Sequence, residues 1–290
     1  MSTATLDLFP GFEALSVDAG GVHFHGVIGG SGPPVLLLHG FPETHLAWRL
    51  IAPVLAGRHT VIVPDLPGYG ASVTHSTTPR WGKRRVAAAL VALMEALGHS
   101  RFAVVGHDRG ARAGYRLALD HPQRVSRYAS LTVIPTLDAL ATVDAGFALA
   151  NYHWFFMAQP GELPERLLTA DPDGFISACL AKMAGGLDHL DPRAVAAYLE
   201  AFRRPSVRHA MCEDYRAAVN EDREQDAVDR AAGNTLACPV LVLWPDNKPS
   251  ALQAWREWAA DLRGAAISGG HLQPEQSSDE VLAHLEVFLH

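Results

Sequence analysis

A chain of 290 residues, 48% hydrophobic and 19% charged, can bury a sizeable core and fits one compact enzyme-sized unit. The formal net charge is −7 and no run of Lys or Arg is long enough to track a phosphate backbone, which argues against nucleic acid or an anionic membrane surface as a partner. Cys179, Cys212 and Cys238 are odd in number and widely spaced, so they read as buried free thiols. Met1–Leu6 has neither the basic start nor the apolar core of a signal peptide, and the longest apolar stretch, Val86 to Leu97, is broken by Glu95. A cytoplasmic protein is expected.

In chain order, Leu15-Ser16-Val17 and Val22 to Val27 read as antiparallel strands joined at Gly20-Gly21. The apolar run Val35-Leu36-Leu37-Leu38 is an inner strand that ends in His39-Gly40-Phe41-Pro42. Thr60-Val61-Ile62-Val63 is a further strand. It leads into Asp65-Leu66-Pro67-Gly68-Tyr69-Gly70-Ala71-Ser72, which lacks the Gly-Lys-Ser/Thr ending of a phosphate loop and reads as structural. Arg80 to Leu97 predicts an amphipathic helix with Val86, Leu90, Leu93 and Leu97 on one face. Phe102-Ala103-Val104-Val105 is a strand, Gly106-His107-Asp108-Arg109-Gly110-Ala111-Arg112 carries a tight turn, and Ala113 to Leu119 reads as a helix. Small residues on both sides of one reactive residue are the pattern of a nucleophile elbow, here with Asp in place of Ser. Arg127 to Val133 is another strand.

From Pro135 to Arg216 the strand rhythm gives way to Ala- and Leu-rich helical segments, the pattern of a cap (135–216) inserted into a core formed by 1–134 and 217–290. The sheet resumes at Pro239 to Trp244, followed by an expected helix from Ala251 to Leu262, a strand at Ala265-Ala266-Ile267, then Gly269-Gly270-His271-Leu272 and a closing helix. Strands alternating with helices predict an α/β protein with a doubly wound, mostly parallel sheet.

The Asp in the turn decides the chemistry. A Ser displacing a leaving group from a saturated carbon would leave an ether that water does not cleave. A carboxylate forms an alkyl ester, which a His-activated water then hydrolyses at the aspartyl carbonyl. Dehalogenation and epoxide opening both fit, and the structural alternative is that Asp108 merely caps the next helix. The backbone N–H groups of Phe41 and Arg109 are the oxyanion-hole candidates. No His/Cys/Asp cluster has metal-ligand spacing, and neither metal nor cofactor is expected.

His39-Gly40-Phe41-Pro42, the Asp elbow and Gly270-His271 come in the order of the α/β-hydrolase fold. Together with Asp108-Arg109-Gly110-Ala111-Arg112, Tyr152-His153-Trp154 and Cys212-Glu213-Asp214-Tyr215-Arg216 they resemble the fluoroacetate (haloacetate) dehalogenase family over nearly the whole chain. That resemblance implies Asp108 as nucleophile, His271 as base, and Arg109 and Arg112 as holders of the carboxylate of a halogenated acid. It also implies His153, Trp154 and Tyr215 as the cradle of the departing halide, and a homodimer. The two arginines, three apart on a helix, otherwise read as solvated surface, and the aromatic triplet as a packed helix face. The family's acid partner of the histidine falls on Thr132 here. Asp246, in the loop after the next strand, is the alternative acid. Competing readings are an epoxide hydrolase with the same nucleophile, or a hydrolase-fold protein that binds a small acid with an impaired triad.

Overall fold

The computed structural model describes residues 7–290, so Met1–Leu6 lie outside the described residues. Nine strands form one sheet: β1 (Phe12–Ala19), β2 (Val22–Gly29), β3 (Pro34–Leu38), β4 (Thr60–Pro64), β5 (Val73–Thr74), β6 (Phe102–His107), β7 (Val125–Leu131), β8 (Val240–Pro245) and β9 (Leu262–Ile267). Their order is β1-β2-β4-β3-β6-β7-β8-β9, with β5 paired to β2. β1, β2 and β4 run antiparallel to their neighbours in turn, and every pair from β4 through β3 to β9 is parallel. Strands β3, β6 and β8 are buried almost throughout, which is why they read as unbroken apolar runs. All three cysteines are free and buried.

Helix α1 (Lys83–Ala96) starts three residues later than its periodicity suggested. Gly82 offers no side-chain cap, and the first N–H, that of Lys83, finds its acceptor on Asp222, 139 residues away. Helix α2 (Arg109–Asp120) follows the elbow directly. The expected strand through Val133 ends at Leu131, because Thr132 takes a left-handed φ of 70° and leaves the strand path. The helix expected from Ala251 to Leu262 survives only as Leu252–Trp255. Its second half is drawn into the sheet: the Leu236 N–H bonds the Trp258 carbonyl at 2.7 Å, and Leu262 pairs with Val240. Sheet pairing here overrides local helix propensity.

Between β7 and β8 the described residues form helices only, from Thr136 to Ala232. They include α3 (Tyr152–Met157), α4 (Pro172–Ala184), α5 (Pro192–Arg203) and α6 (Pro205–Ala217). The boundary expected at 216 falls inside a continuous helical stretch, since α6 runs through Ala218–Asp222 into α7 (Arg223–Ala232). The closing helix is α8 (Ser278–Leu289).

The Asp65 loop is structural, as read. Its carboxylate, held near 2 because the surrounding donors outweigh burial, accepts from the His45 N–H and ring at 2.8 Å and from the Ala71 N–H at 2.7 Å. No described helix is long and apolar enough to cross a membrane.

Candidate active site

The site is built from the ends of parallel strands. β6 brings Asp108 to the sheet's C-terminal edge at φ 48° and ψ −115°, a conformation that costs a residue with a Cβ and persists only where its surroundings fix it. They do: a Cβ on Gly106 would stand 2.5 Å from the Ala111 backbone, and one on Gly110 2.4 Å from the carbonyls of Leu38 and His39. Only glycine permits turn, helix and neighbouring strand to close in this way. Although Asp108 stands at the N-cap position of α2, its side chain makes no capping hydrogen bond. Its Oδ1 instead accepts from the Phe41 N–H at 2.9 Å, and its Oδ2 lies 3.4 Å from His271 Nε2. Burial would raise this carboxyl, but His271, His107 and Arg109 hold it well below the usual carboxylate range, so it is ionised. Of the two oxyanion-hole candidates, Phe41 therefore already holds the Asp108 carboxylate. The Arg109 N–H makes no hydrogen bond to that carboxylate among the described residues.

Both arginines are buried, 0% and 2% exposed, which rules out solvated surface. Their environments differ. Arg109 donates from Nε to Asp214 Oδ2 at 2.9 Å and from Nη2 to Asp214 Oδ1 at 2.7 Å, so its planar fork is taken by a carboxylate of α6 and only Nη1 is free. Lys83 and the Tyr69 hydroxyl, at 2.8 Å, complete the shell of Asp214. Arg112 has no carboxylate within ion-pair distance among the described residues. It donates from Nη1 to Thr136 Oγ1 at 2.9 Å and lies over the Trp154 ring at 4.8 Å, while its Nε is buried without an acceptor. Burial and the neighbouring Arg109 both push its ionisation downward, the mark of a cation short of an anion.

His153, Trp154 and Tyr215 pack against one another. Ring centroids are 5.7 Å apart for His153 and Tyr215 and 6.1 Å for Trp154 and Tyr215. Phe41 stacks on His153 at 5.5 Å, tying this cluster to the oxyanion turn, and Arg109 lies 4.6 Å over Tyr215. Tyr152 is 44% exposed, so the triplet is not one packed face. Burial lowers His153 to about 4, and burial with Asp108 raises Tyr215 well above its ordinary value. Both are therefore neutral hydrogen-bond donors at neutral pH.

The third triad position is different. Asp246 is exposed, and its carboxylate makes neither a hydrogen bond nor an ion pair with His271 among the described residues, because its backbone N–H is fixed to Ile267 O at 2.9 Å at the end of β9. Thr132 turns its hydroxyl onto the Leu131 carbonyl at 2.7 Å. The structure thus brings neither acid candidate to the base.

Asp214, Lys83, Thr136, Glu43 and His107 were not singled out from sequence. Asp214 stood within a quoted motif, but nothing local reveals a partner 105 residues away. The group Glu165, His209 and Glu213 comes within 4.8 Å, but Arg216 already bonds both carboxylates there, at 2.6 and 2.7 Å.

Comparison with known proteins agrees with this geometry. The family described as alpha/beta hydrolase fold matches residues 33–273. A fluoroacetate dehalogenase from a Burkholderia species is 40% identical over 97% of this chain and 95% of its own. A soluble epoxide hydrolase from a Corynebacterium species is 30% identical over 90% and 92%. Among solved structures, a variant of a candidate epoxide hydrolase from Pseudomonas aeruginosa, with bound MFA, superposes with a TM-score of 0.94 at 50% identity, covering 97% of this chain and 96% of that one. The chain belongs to the α/β-hydrolase family and is related to fluoroacetate dehalogenase and to the epoxide hydrolases.

Proposed function

We propose that this hydrolase cleaves the carbon–halogen bond of haloacetates, fluoroacetate among them, through an ester on Asp108. Oδ2, the oxygen left free by Phe41, attacks the halogen-bearing carbon. The C–O bond forms, the C–X bond breaks, and halide leaves toward the donors of His153, Trp154 and Tyr215. Water, losing its proton to His271, then adds to the Asp108 carboxyl carbon, and the Phe41 N–H receives the oxyanion on Oδ1. Collapse breaks the acyl C–O bond, the proton passes from His271 to the departing oxygen, and glycolate leaves with an oxygen that came from Asp108.

The observation that carries this reading is Arg112. A buried guanidinium with no carboxylate partner among the described residues, one helical turn from the nucleophile, is stabilised by a substrate that brings its own negative charge. A neutral epoxide would leave it uncompensated. Arg109 contributes one free nitrogen in place of a parallel pair. Epoxide opening is the second reading, favoured by the Tyr215 hydroxyl, which could polarise the epoxide oxygen. Tyr69, Tyr115 and Tyr198 are committed to Asp214, Asp226 and Glu275, Tyr128 to the Ala111 carbonyl, and Tyr152 is exposed, so among the described residues no second buried tyrosine is free to pair with Tyr215.

Incubation with chloroacetate and with styrene oxide, tracking halide, diol and protein mass, separates the readings. Catalytic halide release without diol is expected. Diol formation without halide release would replace this reading with the epoxide one, and a single stoichiometric alkylation would indicate a binding protein that reacts once.

A further inference from the structure

Among the fully buried ionisable residues to which the reaction outlined above gives no task are His107 and Glu43. His107 Nδ1 faces Glu43 Oε2 at 2.9 Å, and Nε2 lies 2.8 Å from the backbone carbonyl oxygen of His271. A carbonyl only accepts, so Nε2 carries a hydrogen. Glu43 Oε2 also accepts from the Gly40 N–H at 3.2 Å, a contact that favours the carboxylate form and with it the second hydrogen on Nδ1. His107 is thus an imidazolium paired with the Glu43 carboxylate. Burial opposes the charge on each, but their mutual attraction raises His107 and lowers Glu43. The charged and titratable groups around the pair are Asp108, the His271 ring at 5.2 Å, His39 on the Glu43 side, Tyr198 and Glu275. Glu275, bound by Arg49 and Tyr198, is pushed up to about 7 by burial and by Glu43.

The base needs such a support. Among the described residues the His271 side chain has no carboxylate partner other than Asp108 itself, and Asp108 lies 3.4 Å away. What fixes His271 is its backbone. The N–H donates to Met183 O at 3.1 Å, and the carbonyl accepts from His107.

We propose that Glu43 and His107 are positioning residues for the base: the pair clamps the His271 backbone carbonyl and keeps its Nε2 over the Asp108 ester while water attacks, a task that an acid on Nδ1 performs in a complete triad. This rests on the assignment of Asp108 and His271 given above. The clamp matters for ester hydrolysis, in which His271 takes a proton. It matters little for alkylation, which needs only the carboxylate.

Two conservative variants separate the contacts. His107→Gln places an amide N–H where Nε2 was and keeps the grip on the His271 carbonyl. His107→Asn places one where Nδ1 was and keeps only Glu43. Both remove the positive charge. Rapid-quench mass spectrometry with chloroacetate gives the alkylation and hydrolysis rates separately. In His107→Asn, hydrolysis should fall by about tenfold or more while alkylation stays within about threefold, so alkylated Asp108 accumulates. His107→Gln should stay within about threefold of wild type in both steps. Equal behaviour of the two variants, or equal loss in both steps, overturns the proposal.

A measurement on the wild-type protein needs no variant to fold. Nitrogen-15 NMR should show that His107 keeps both nitrogens protonated to a higher pH than an ordinary imidazole does. Titration of His107 at or below the ordinary imidazole range also overturns it. Halide release by wild type with no alkyl group ever on Asp108 refutes the ester mechanism itself, a different result from either of these.

Discussion

Arg112 and Arg109 lie three residues apart on one helix, yet only Arg109 has a carboxylate partner among the described residues. Spacing made them look like twins. Burial and partners separate them, because Asp214 supplies the counter-charge for Arg109 and nothing among the described residues does so for Arg112. Replacing Arg112 with Lys keeps the charge but loses the planar fork, and kcat/KM for chloroacetate should fall by about 100-fold, roughly 3 kcal/mol. A loss of less than about threefold would mean that the substrate carboxylate is held elsewhere. Trp154→Phe removes one donor from the halide cradle and should slow fluoroacetate turnover more than bromoacetate turnover, since fluoride needs more stabilisation to leave. Equal losses in the two kcat values would assign Trp154 to packing. Asp108 and His271 were legible because the roles proposed for them go with local sequence patterns: small residues around a strained turn, and Gly-His after the last strand. Asp214, Glu43 and His107 act through contacts between distant segments, and no local pattern encodes those.

At the scale of elements, β6, the elbow and α2 follow directly from the run of apolar and small residues between Phe102 and Leu119. The elements that were misread are those whose ends are decided by a neighbour. The C-terminal half of the predicted Ala251–Leu262 helix pairs with the sheet, and the end of β7 is set by the left-handed turn at Thr132. Thr132 is β-branched in a conformation that favours Asn, Asp or Gly, and it stands where the resembling family carries its acid. Thr132→Asp should therefore relieve backbone strain and, by supplying a carboxylate for His271, speed hydrolysis of the Asp108 ester. Asp246→Asn should leave that step unchanged, because the Asp246 carboxylate is exposed and apart from the base. Steady-state mass spectra of Asp108 check both. A rise in the alkylated fraction in Asp246→Asn would restore Asp246 as the acid, and no change in Thr132→Asp would argue against that position as an acid site.

For the molecule as a whole, active-site burial has a consequence for stability against pH. Burial lowers His153 from its ordinary 6.5 to about 4, so the unfolded chain takes up a proton that the folded protein refuses as pH falls between those values. The contribution of His153 is complete above about 6.5 and is lost on acidification toward 4, a change of about 3 kcal/mol. Glu275, raised to about 7 by burial and Glu43, acts in the opposite sense: its contribution is present at acid pH and is lost as pH rises through 7. The two partly cancel in wild type, so the test is a difference. The unfolding free energy of wild type minus that of His153→Gln, from urea titrations, should shrink by about 3 kcal/mol between pH 7 and pH 4. A difference independent of pH would mean that His153 is not held neutral.

The central claim is that Asp108, and not a water molecule, displaces the halide. A single turnover of chloroacetate in water enriched in oxygen-18, with enzyme in excess, tests it most directly. In the proposed reaction the water oxygen enters the Asp108 carboxyl group and the first glycolate formed is unlabelled, so the peptide containing Asp108 gains the mass of one heavy oxygen. Labelled glycolate in that first turnover, with Asp108 unchanged, would contradict the account.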